Sequence, residues 1–237
     1  MKKLICVAGL AALSTLATAA PLCLPGSLST YVGLGADGCM LGSNTVSAFT
    51  VLAPITGATA ISPNLISVSP INSSLNPGLT FTTSVTAERT QIFQLLLMYQ
   101  ISGFGFTSDS VSLSGASSRG NGAVTEIQNS CLGARFVPDP PNPIGTCAGT
   151  DGTPLVVLNS GSDEATFSPV NLIAVLHDLT IDGGRGGSAT GATVTDQFTA
   201  SAVPPAGVIP EPSAILLMGS GLGLGILLKN SFKKAKK

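Results

Sequence analysis

The amino-acid sequence predicts an all-β protein, whose body is an antiparallel β-sandwich of the jelly-roll-like kind. Eight to ten short runs of alternating or β-branched residues recur along the chain, separated by turns of Gly, Pro, Ser and Asn. The chain contains 28 glycines and 16 prolines, a composition that suits many tight turns. No helical pattern alternates with the runs, which argues against a parallel α/β fold.

The predicted strands follow one another through the body of the chain. The run 91–101 is the most apolar, and its periodicity alone fits either a helix or a strand. We predict a central strand there because its neighbours are β-like. The runs are residues 46–51, 65–68, 79–82, 91–101, 110–114, 123–128, 155–158, 171–181 and 193–200.

The N-terminal end has the three parts of a secretory signal peptide. Lys2 and Lys3 precede an apolar stretch, residues 4–16, and Ala17-Thr18-Ala19 gives the small-x-small pattern of a cleavage site. We predict cleavage after Ala19. The alternative is an uncleaved anchor, although the stretch is shorter than the ~20 apolar residues of a spanning helix.

The charges are distributed unevenly along the chain. All seven lysines lie at residues 2–3 and 229–237, beside the two most hydrophobic segments, as membrane topology rules require. Between residues 20 and 210, four arginines stand against eleven carboxylates, a formal net charge of −7. Nucleic acid is therefore not an expected partner, because its binding depends on clustered cations.

The C-terminal end combines three features. Pro210-Glu211-Pro212 is followed by 16 uncharged residues, Ser213–Leu228, and by a basic end, 229–237, with five lysines. As a helix the uncharged segment would span about 24 Å, less than the ~30 Å hydrocarbon core, so the predicted transmembrane helix is a marginal anchor. The lysines would stay cytoplasmic and the acidic body would lie outside.

These three features resemble the PEP-CTERM sorting signal of exopolysaccharide-producing Gram-negative bacteria. Two mild departures are Ile209 before the motif and lysines instead of arginines at the end. The resemblance implies recognition by an exosortase, a membrane-embedded cysteine protease or transpeptidase. The chain would then be anchored only transiently in the inner membrane and would pass to the cell surface or extracellular matrix.

The body also resembles one that occurs with many such tails. The matching residues are Leu28-x-x-Tyr31-x-x-Leu34-Gly35-x-x-Gly38-Cys39-x-x-Gly42 and Pro77-Gly78-Leu79-x-Phe81. This resemblance implies the sandwich and transfers no activity. The predicted organisation is a signal peptide, 1–19, a β-sandwich body, 20–200, a linker, 201–209, and the sorting tail, 210–237.

Four cysteines remain once the signal peptide, with Cys6, has been removed. An even number in an exported chain predicts disulfides, and three pairings are open. The simplest is Cys23 with Cys39 and Cys131 with Cys147, each pair enclosing 15 residues. A four-cysteine metal site is the alternative, but its usual C-x-x-C pairs do not occur in the sequence. We predict neither a metal nor a cofactor.

The sequence favours a protein without enzymatic activity. A catalytic triad built on His177, the only histidine, needs a neighbouring carboxylate, but Asp178 faces the opposite side of a strand. No G-x-S-x-G motif is present. We therefore predict that His177 is a partly exposed strand residue. Asp151-Gly152, Asp163-Glu164 and Asp182-Gly183-Gly184 offer oxygen ligands to Ca²⁺ but equally suit ordinary turns.

The predicted function is that of a non-enzymatic surface or matrix protein. The alternative is a carbohydrate-binding, adhesin-like module whose ligand is exopolysaccharide. Sugar-binding sites often stack the ligand on exposed aromatic rings. The chain has no Trp and only two tyrosines, Tyr31 and Tyr99, of which we expect Tyr99 to be buried. This composition favours the structural role.

Overall fold

A computed structural model describes residues 20–139 and 142–201, which all belong to one unit ending at Ser201. This part of the chain contains a short helix, α1 (Leu28–Val32), a 3₁₀ turn (Pro63–Leu65) and seventeen strands. The strands are β1 Gly26–Ser27, β2 Cys39–Leu41, β3 Asn44–Leu52, β4 Thr59–Ala60, β5 Ile66–Ile71, β6 Gly78–Thr83, β7 Thr86–Glu88, β8 Ile92–Ser114, β9 Ser117–Arg119, β10 Ala123–Leu132, β11 Phe136–Asp139, β12 Asn142–Cys147, β13 Thr150–Asp151, β14 Leu155–Leu158, β15 Gly161–Asp182, β16 Ser188–Thr190 and β17 Thr193–Ala200.

Two long antiparallel strands, β8 and β15, organise the molecule. They pair with each other from end to end. Residues 92–102 of β8 and 172–182 of β15 lie between β3 on one side and β10, followed by β14, on the other; we call this group layer 1. Residues 106–114 of β8 and 161–166 of β15 continue into β17, β6 and β5; we call this group layer 2.

A bend joins the two halves of each long strand. The register of the β8–β15 pair shifts between Thr166 and Val170 and again between Val170 and Leu172, and such bulges bend a strand. Gly105 adopts a left-handed φ of +60°, and its N–H donates to Asn171 Oδ1 at 3.0 Å. A Cβ on Gly103 would lie 1.9 Å from Asn44 Oδ1. Glycine is therefore required where β8 passes between the layers.

The core lies between the layers. On the inward side of layer 1 the period of two buries Leu95, Leu97, Tyr99 and Ile101, and on that of layer 2 it buries Val111, Leu113, Val194 and Phe198. Phe81 of β6 contacts Tyr99 across the core, with ring centroids 6.1 Å apart. Full burial of each large apolar side chain contributes about 1.5–3 kcal/mol. The prediction of an antiparallel all-β sandwich is confirmed, whereas its jelly-roll-like connectivity stays a prediction.

The structure contains a helix that the sequence did not predict. Ser27 caps α1, since its hydroxyl accepts a hydrogen bond from Thr30 N at 3.3 Å. The side chains of Leu28 and Tyr31, both in the helix, are buried, and the Tyr31 hydroxyl donates to Leu24 O at 2.9 Å. Five residues are too few to show a helical period, so packing of these two side chains determines the helix.

Most predicted strands are confirmed, and the main differences concern length. Residues 155–158 and 193–200 match β14 and β17 to the residue. The predicted runs 91–101 and 110–114 belong to one strand, β8, and the predicted run 171–181 begins ten residues earlier, at Gly161. No helix within residues 20–139 and 142–201 is long and apolar enough to cross a membrane. The signal peptide with Ala19, the linker beyond residue 201 and the tail with Pro210, Glu211 and Pro212 lie outside the described residues.

Candidate functional site

Two disulfides join the cysteine pairs that the sequence favoured. Cys23 is bonded to Cys39, and Cys131 to Cys147, with Cα–Cα distances of 4.9 and 5.3 Å. The first attaches the N-terminal segment to β2. The second attaches the end of β12 to the end of β10, and thereby fastens the β11–β12 hairpin to layer 1. The predicted pairing is confirmed.

The interior of the sandwich contains an unusual set of polar and ionisable side chains, which we call the buried cluster. Buried carboxylates are rare unless they are paired. Every residue of the cluster is at most 6% exposed. The members come from both layers and are Tyr99, Asp109, Glu126, Gln128, Ser130, His177 and Asp196.

His177 is the centre of one half of the cluster. Its Nδ1 lies 2.6 Å from Glu126 Oε1, and its Nε2 lies 3.2 Å from Asp196 Oδ2. The hydroxyl of Tyr99 donates to the same Asp196 oxygen. Because Glu126 and His177 belong to layer 1 and Asp196 to β17, the histidine connects the two layers through both ring nitrogens.

Asp109 is the centre of the other half. Its carboxylate accepts hydrogen bonds from the Ser130 hydroxyl and, at 2.7 Å, from Gln128 Nε2. Gln128 Nε2 also lies 3.3 Å from Asp196 Oδ1 and so connects the two halves. In the described part of the chain, Glu126 Oε2 and Gln128 Oε1 are buried without a hydrogen-bond partner.

Burial and mutual charge shift the pKa values of the cluster. Burial opposes the protonation of His177, but Glu126 and Asp196 outweigh it and raise the pKa of the imidazole to about 10. Burial raises the pKa of Glu126, and the nearby His177 offsets part of that rise. Burial and then repulsion from Asp196 hold the pKa of Asp109 well above its usual range. His177 is therefore a buried cation at neutral pH.

The buried cluster has no room for a substrate. The cavity beside it is about 10 Å³ and is lined by Phe81, Glu126, His177 and apolar neighbours, space for at most one water. Ser130 bonds to Asp109 and not to His177, so no nucleophile–histidine pair is formed. The prediction that His177 is partly exposed is wrong, because the side chain lies on the apolar face of β15 and is 2% exposed.

A cleft lies between the β11–β12 hairpin and the outer side of layer 1. Its volume is about 530 Å³. Asn129, Thr146 and Asp151 supply polar groups to its wall, and Phe136 and Leu176 supply apolar ones. This mixed lining is typical of small-molecule sites.

The outer side of layer 2 is lined mostly by hydroxyl groups, and we call it the hydroxyl face. Its seventeen outward positions hold thirteen Ser or Thr residues, with Gln197, Glu164, Gly78 and Ile71 as the other four. Twelve of the thirteen are at least partly exposed, and Ser108 is buried. The hydroxyl residues are Ser67, Ser69, Thr80, Thr82, Ser108, Ser110, Ser112, Ser114, Ser162, Thr166, Thr193, Thr195 and Thr199.

The three acidic candidates for calcium binding lie apart and serve different purposes. Asp163 accepts hydrogen bonds from the backbone N–H groups of Val156 and Glu164, each at 3.0 Å. Asp182 accepts one from Gly184 N at 2.7 Å, whereas Asp151 lines the cleft. Over the described ranges, no group of three or more His, Cys, Asp or Glu residues is placed to hold a metal ion.

Comparison with known proteins gives limited information. No family model and no curated protein matches the chain. A solved structure of the module TmCBM61 in complex with β-1,4-galactotriose shares 10% identity over 72% of this chain and 92% of its own, with a TM-score of 0.27. The enzymatically active domain of tailspike protein 4 from bacteriophage CBA120 shares 13% identity over 65% of this chain and 19% of its own, with a TM-score of 0.25. Neither likeness is close enough to assign a fold or a function.

Proposed function

We propose that this chain is an exported, non-enzymatic protein of the cell surface or extracellular matrix, sorted by an exosortase through its C-terminal tail. The two disulfides carry the proposal. Such bonds form in oxidising compartments such as the periplasm and persist outside the cell. Both lie within the body that precedes the tail, Cys23–Cys39 at its N-terminal side and Cys131–Cys147 near its middle.

The sorting step rests on the sequence of the tail. Pro210-Glu211-Pro212, the uncharged segment 213–228 and the basic end 229–237 form the signal in the expected order. A helix of that length holds a protein in the inner membrane only marginally. Cleavage near the motif by an exosortase would release or transfer the body, leaving the lysines behind.

The non-enzymatic role is supported by the state of the ionisable groups. The only histidine is paired with Glu126 and Asp196 in the sealed interior. Asp109 is likewise buried against Gln128 and Ser130. Groups whose pKa values are strongly shifted mark catalytic sites only where a substrate can reach them, and the adjacent cavity of about 10 Å³ admits none.

Replacement of Pro210-Glu211-Pro212 by three alanines tests the sorting step in the native cell. We expect the variant to accumulate uncut in the inner membrane, whereas the wild type reaches the surface or medium. Cell fractionation with an antibody to the body gives the answer. A variant that is processed and released like the wild type would refute the involvement of the motif.

A second candidate function is the binding of exopolysaccharide as an adhesin-like module. The hydroxyl face favours it, since an array of neutral hydroxyls matches the surface of a sugar polymer better than that of a protein. Pull-down of the purified protein on the exopolysaccharide of its own organism separates this function from a purely structural one. Retention well above that of an unrelated disulfide-bonded protein supports binding.

A further inference from the structure

We infer that the hydroxyl face is a docking surface for an uncharged, extended polysaccharide. The inference rests on the proposed function as an exported protein and names the surface and ligand class of its second candidate. Four features support it: the regular spacing of the hydroxyls, their hydrogen-bonding capacity, the near absence of charge and the scarcity of apolar groups.

The hydroxyls stand in rows that cross the strands of layer 2. The longest row holds five hydroxyl residues, one from each of the strands β5, β6, β17, β8 and β15. Each residue of the row lies directly opposite the next one on the adjacent strand. Hydroxyls are about 4.8 Å apart across the strands and about 6.7 Å apart along them. The rows are Ser67–Thr82–Thr193–Ser114, Ser69–Thr80–Thr195–Ser112–Ser162, Ile71–Gly78–Gln197–Ser110–Glu164 and Thr199–Ser108–Thr166.

The hydroxyls keep hydrogen-bonding capacity for a ligand. Thr80 and Thr195 lie 3.3 Å apart through their Oγ1 atoms, and Thr82 and Thr193 lie 3.1 Å apart. A hydroxyl has one donor and two acceptor positions, so a single bond of this kind leaves each side chain further positions. A sugar polymer presents the same donor and acceptor combination at closely spaced points.

The hydroxyl face carries almost no charge. Glu164 is the only ionisable residue among the seventeen outward positions, although the stretch 20–210 has a net charge of −7. Soluble surfaces are commonly about 25–35% charged. A charged polymer would find almost no opposite charge to pair with on this face. A neutral polymer needs no such pairing.

The face is unsuited to a second copy of this chain. The centres of protein interfaces are rich in aromatic and apolar side chains, and the seventeen positions contain only one, Ile71, at the end of a row. A ligand must therefore be held by many hydrogen bonds of small individual strength. An extended polymer meets this condition, because bonds to one repeat raise the effective concentration of the next.

The cleft beside the β11–β12 hairpin is the competing location. Its carboxylate, Asp151, and its single ring, Phe136, suit a short ligand better than a neutral polymer. The variant Asp151→Ala, Phe136→Ala therefore serves as the second arm of the test.

Binding is measured with the full chain, purified in detergent with both disulfides formed. The probes are microcrystalline cellulose and agarose, which are uncharged, and alginate beads, which are anionic. The triple variant Thr80→Val, Thr193→Val, Thr195→Val removes three adjacent hydroxyls while keeping β-branched side chains. The control, Thr50→Val with Thr125→Val, removes hydroxyls from strands of layer 1.

We expect wild-type protein to bind an uncharged probe and to ignore alginate. The triple variant should bind about ten- to a hundredfold more weakly, as the loss of three ordinary hydrogen bonds implies. The control variant should stay within about twofold of the wild type. Thermal unfolding checks that all variants are folded.

Three results would overturn the inference. One is wild-type protein that binds no uncharged probe. Another is a triple variant that binds as well as the wild type, combined with loss of binding in the cleft variant Asp151→Ala, Phe136→Ala. The third is wild-type dimerisation that the triple variant abolishes. Export is scored separately by fractionation, so a protein that binds in vitro yet remains in the cytosol refutes the proposed localisation and leaves the docking surface intact.

Discussion

The outer sides of the two layers are built from the same two long strands, yet they differ in chemistry. In layer 1, β8 and β15 turn the apolar Leu96, Met98, Ala174 and Leu176 outward beside the polar Gln94, Gln100, Asp178 and Thr180. In layer 2 the same strands turn out Ser110, Ser112, Ser114, Ser162 and Thr166, together with Glu164. The change occurs at the bend, within a few residues of Gly103 and Asn171.

The outer sides of the two layers also differ in the elements that pack on them. The outer side of layer 1 lies partly beneath the β11–β12 hairpin, whose Phe136 and Cys147 share the cleft with Leu176. The loop before β4 also reaches it, where Ile55 N donates to Gln94 Oε1 at 2.8 Å. No described element covers the hydroxyl face in this way. Layer 1 therefore has several apolar groups on both sides, whereas layer 2 has them on its inner side and, outside, only at Ile71.

The largest expected effect comes from breaking the connection between the layers. His177→Ala leaves Glu126 and Asp196 buried without their cation, which should lower the free energy of unfolding by about 3–5 kcal/mol. Thr180→Ala, on the outer side of the same strand, should change it by no more than about 0.5 kcal/mol. Urea unfolding followed by circular dichroism measures both, and equal stabilities would refute a structural role for His177.

The same residue should make stability depend on pH. The folded pKa of His177, about 10, is higher than the ordinary value of 6.5. The contribution of His177 to the free energy of unfolding is therefore fully present below pH 6.5 and is lost as pH rises through about 10. The pKa values of Glu126 and Asp109 are also raised in the folded state, so their contributions to stability are likewise lost as pH rises. That loss begins at lower pH than the loss from His177. We expect the free energy of unfolding to fall by several kcal/mol between pH 6.5 and 10, and His177→Gln to flatten that slope.

The two disulfides should stabilise the body equally, but only Cys131–Cys147 should hold the β11–β12 hairpin over layer 1. Each closes a loop with a sequence separation of 16, worth about 3 kcal/mol in the chain-entropy model. Cys131→Ala with Cys147→Ala should also free the hairpin and increase hydrogen exchange at Leu176 and Asn129. Cys23→Ala with Cys39→Ala should leave exchange at those amides unchanged, and equal exchange in both variants would contradict the covering role of the hairpin.

A pair of outward substitutions gives the smallest and most direct contrast between the faces. Leu176→Ala in layer 1 should cost about 2–3 kcal/mol, because the side chain is 2% exposed. Thr195→Val in layer 2 should alter stability by no more than about 0.5 kcal/mol. Thermal unfolding distinguishes these values, and a large loss from Thr195→Val would mean that its hydroxyl serves the fold instead of a ligand.

The sequence predicted the strands and the disulfides well because both depend on local information. The alternation in residues 193–200 is regular, and the two cysteine pairs are close in sequence. The bend was not predictable, because the register shifts near Val170 arise from pairing with β8 some 64 residues earlier.

The buried cluster was missed although one signal was present. The alternation placed His177 on a face with Ile173, Val175, Leu179 and Ile181, which indicates burial. Its partners Glu126 and Asp196, 51 and 19 residues away, were not recognisable as neighbours. The alternate hydroxyls at 110, 112 and 114, at 80 and 82, and at 193 and 195 are visible in the sequence, but only strand pairing aligns them into one face.

Mass spectrometry of the mature protein, isolated from the cell surface or medium without reduction, reads both termini and both disulfides in one measurement. We expect a chain that begins after Ala19, contains both disulfides and ends near Pro210-Glu211-Pro212 without the five C-terminal lysines. An intact polypeptide that retains residues 1–19 and 229–237, found in the cytosol with free thiols, would contradict it.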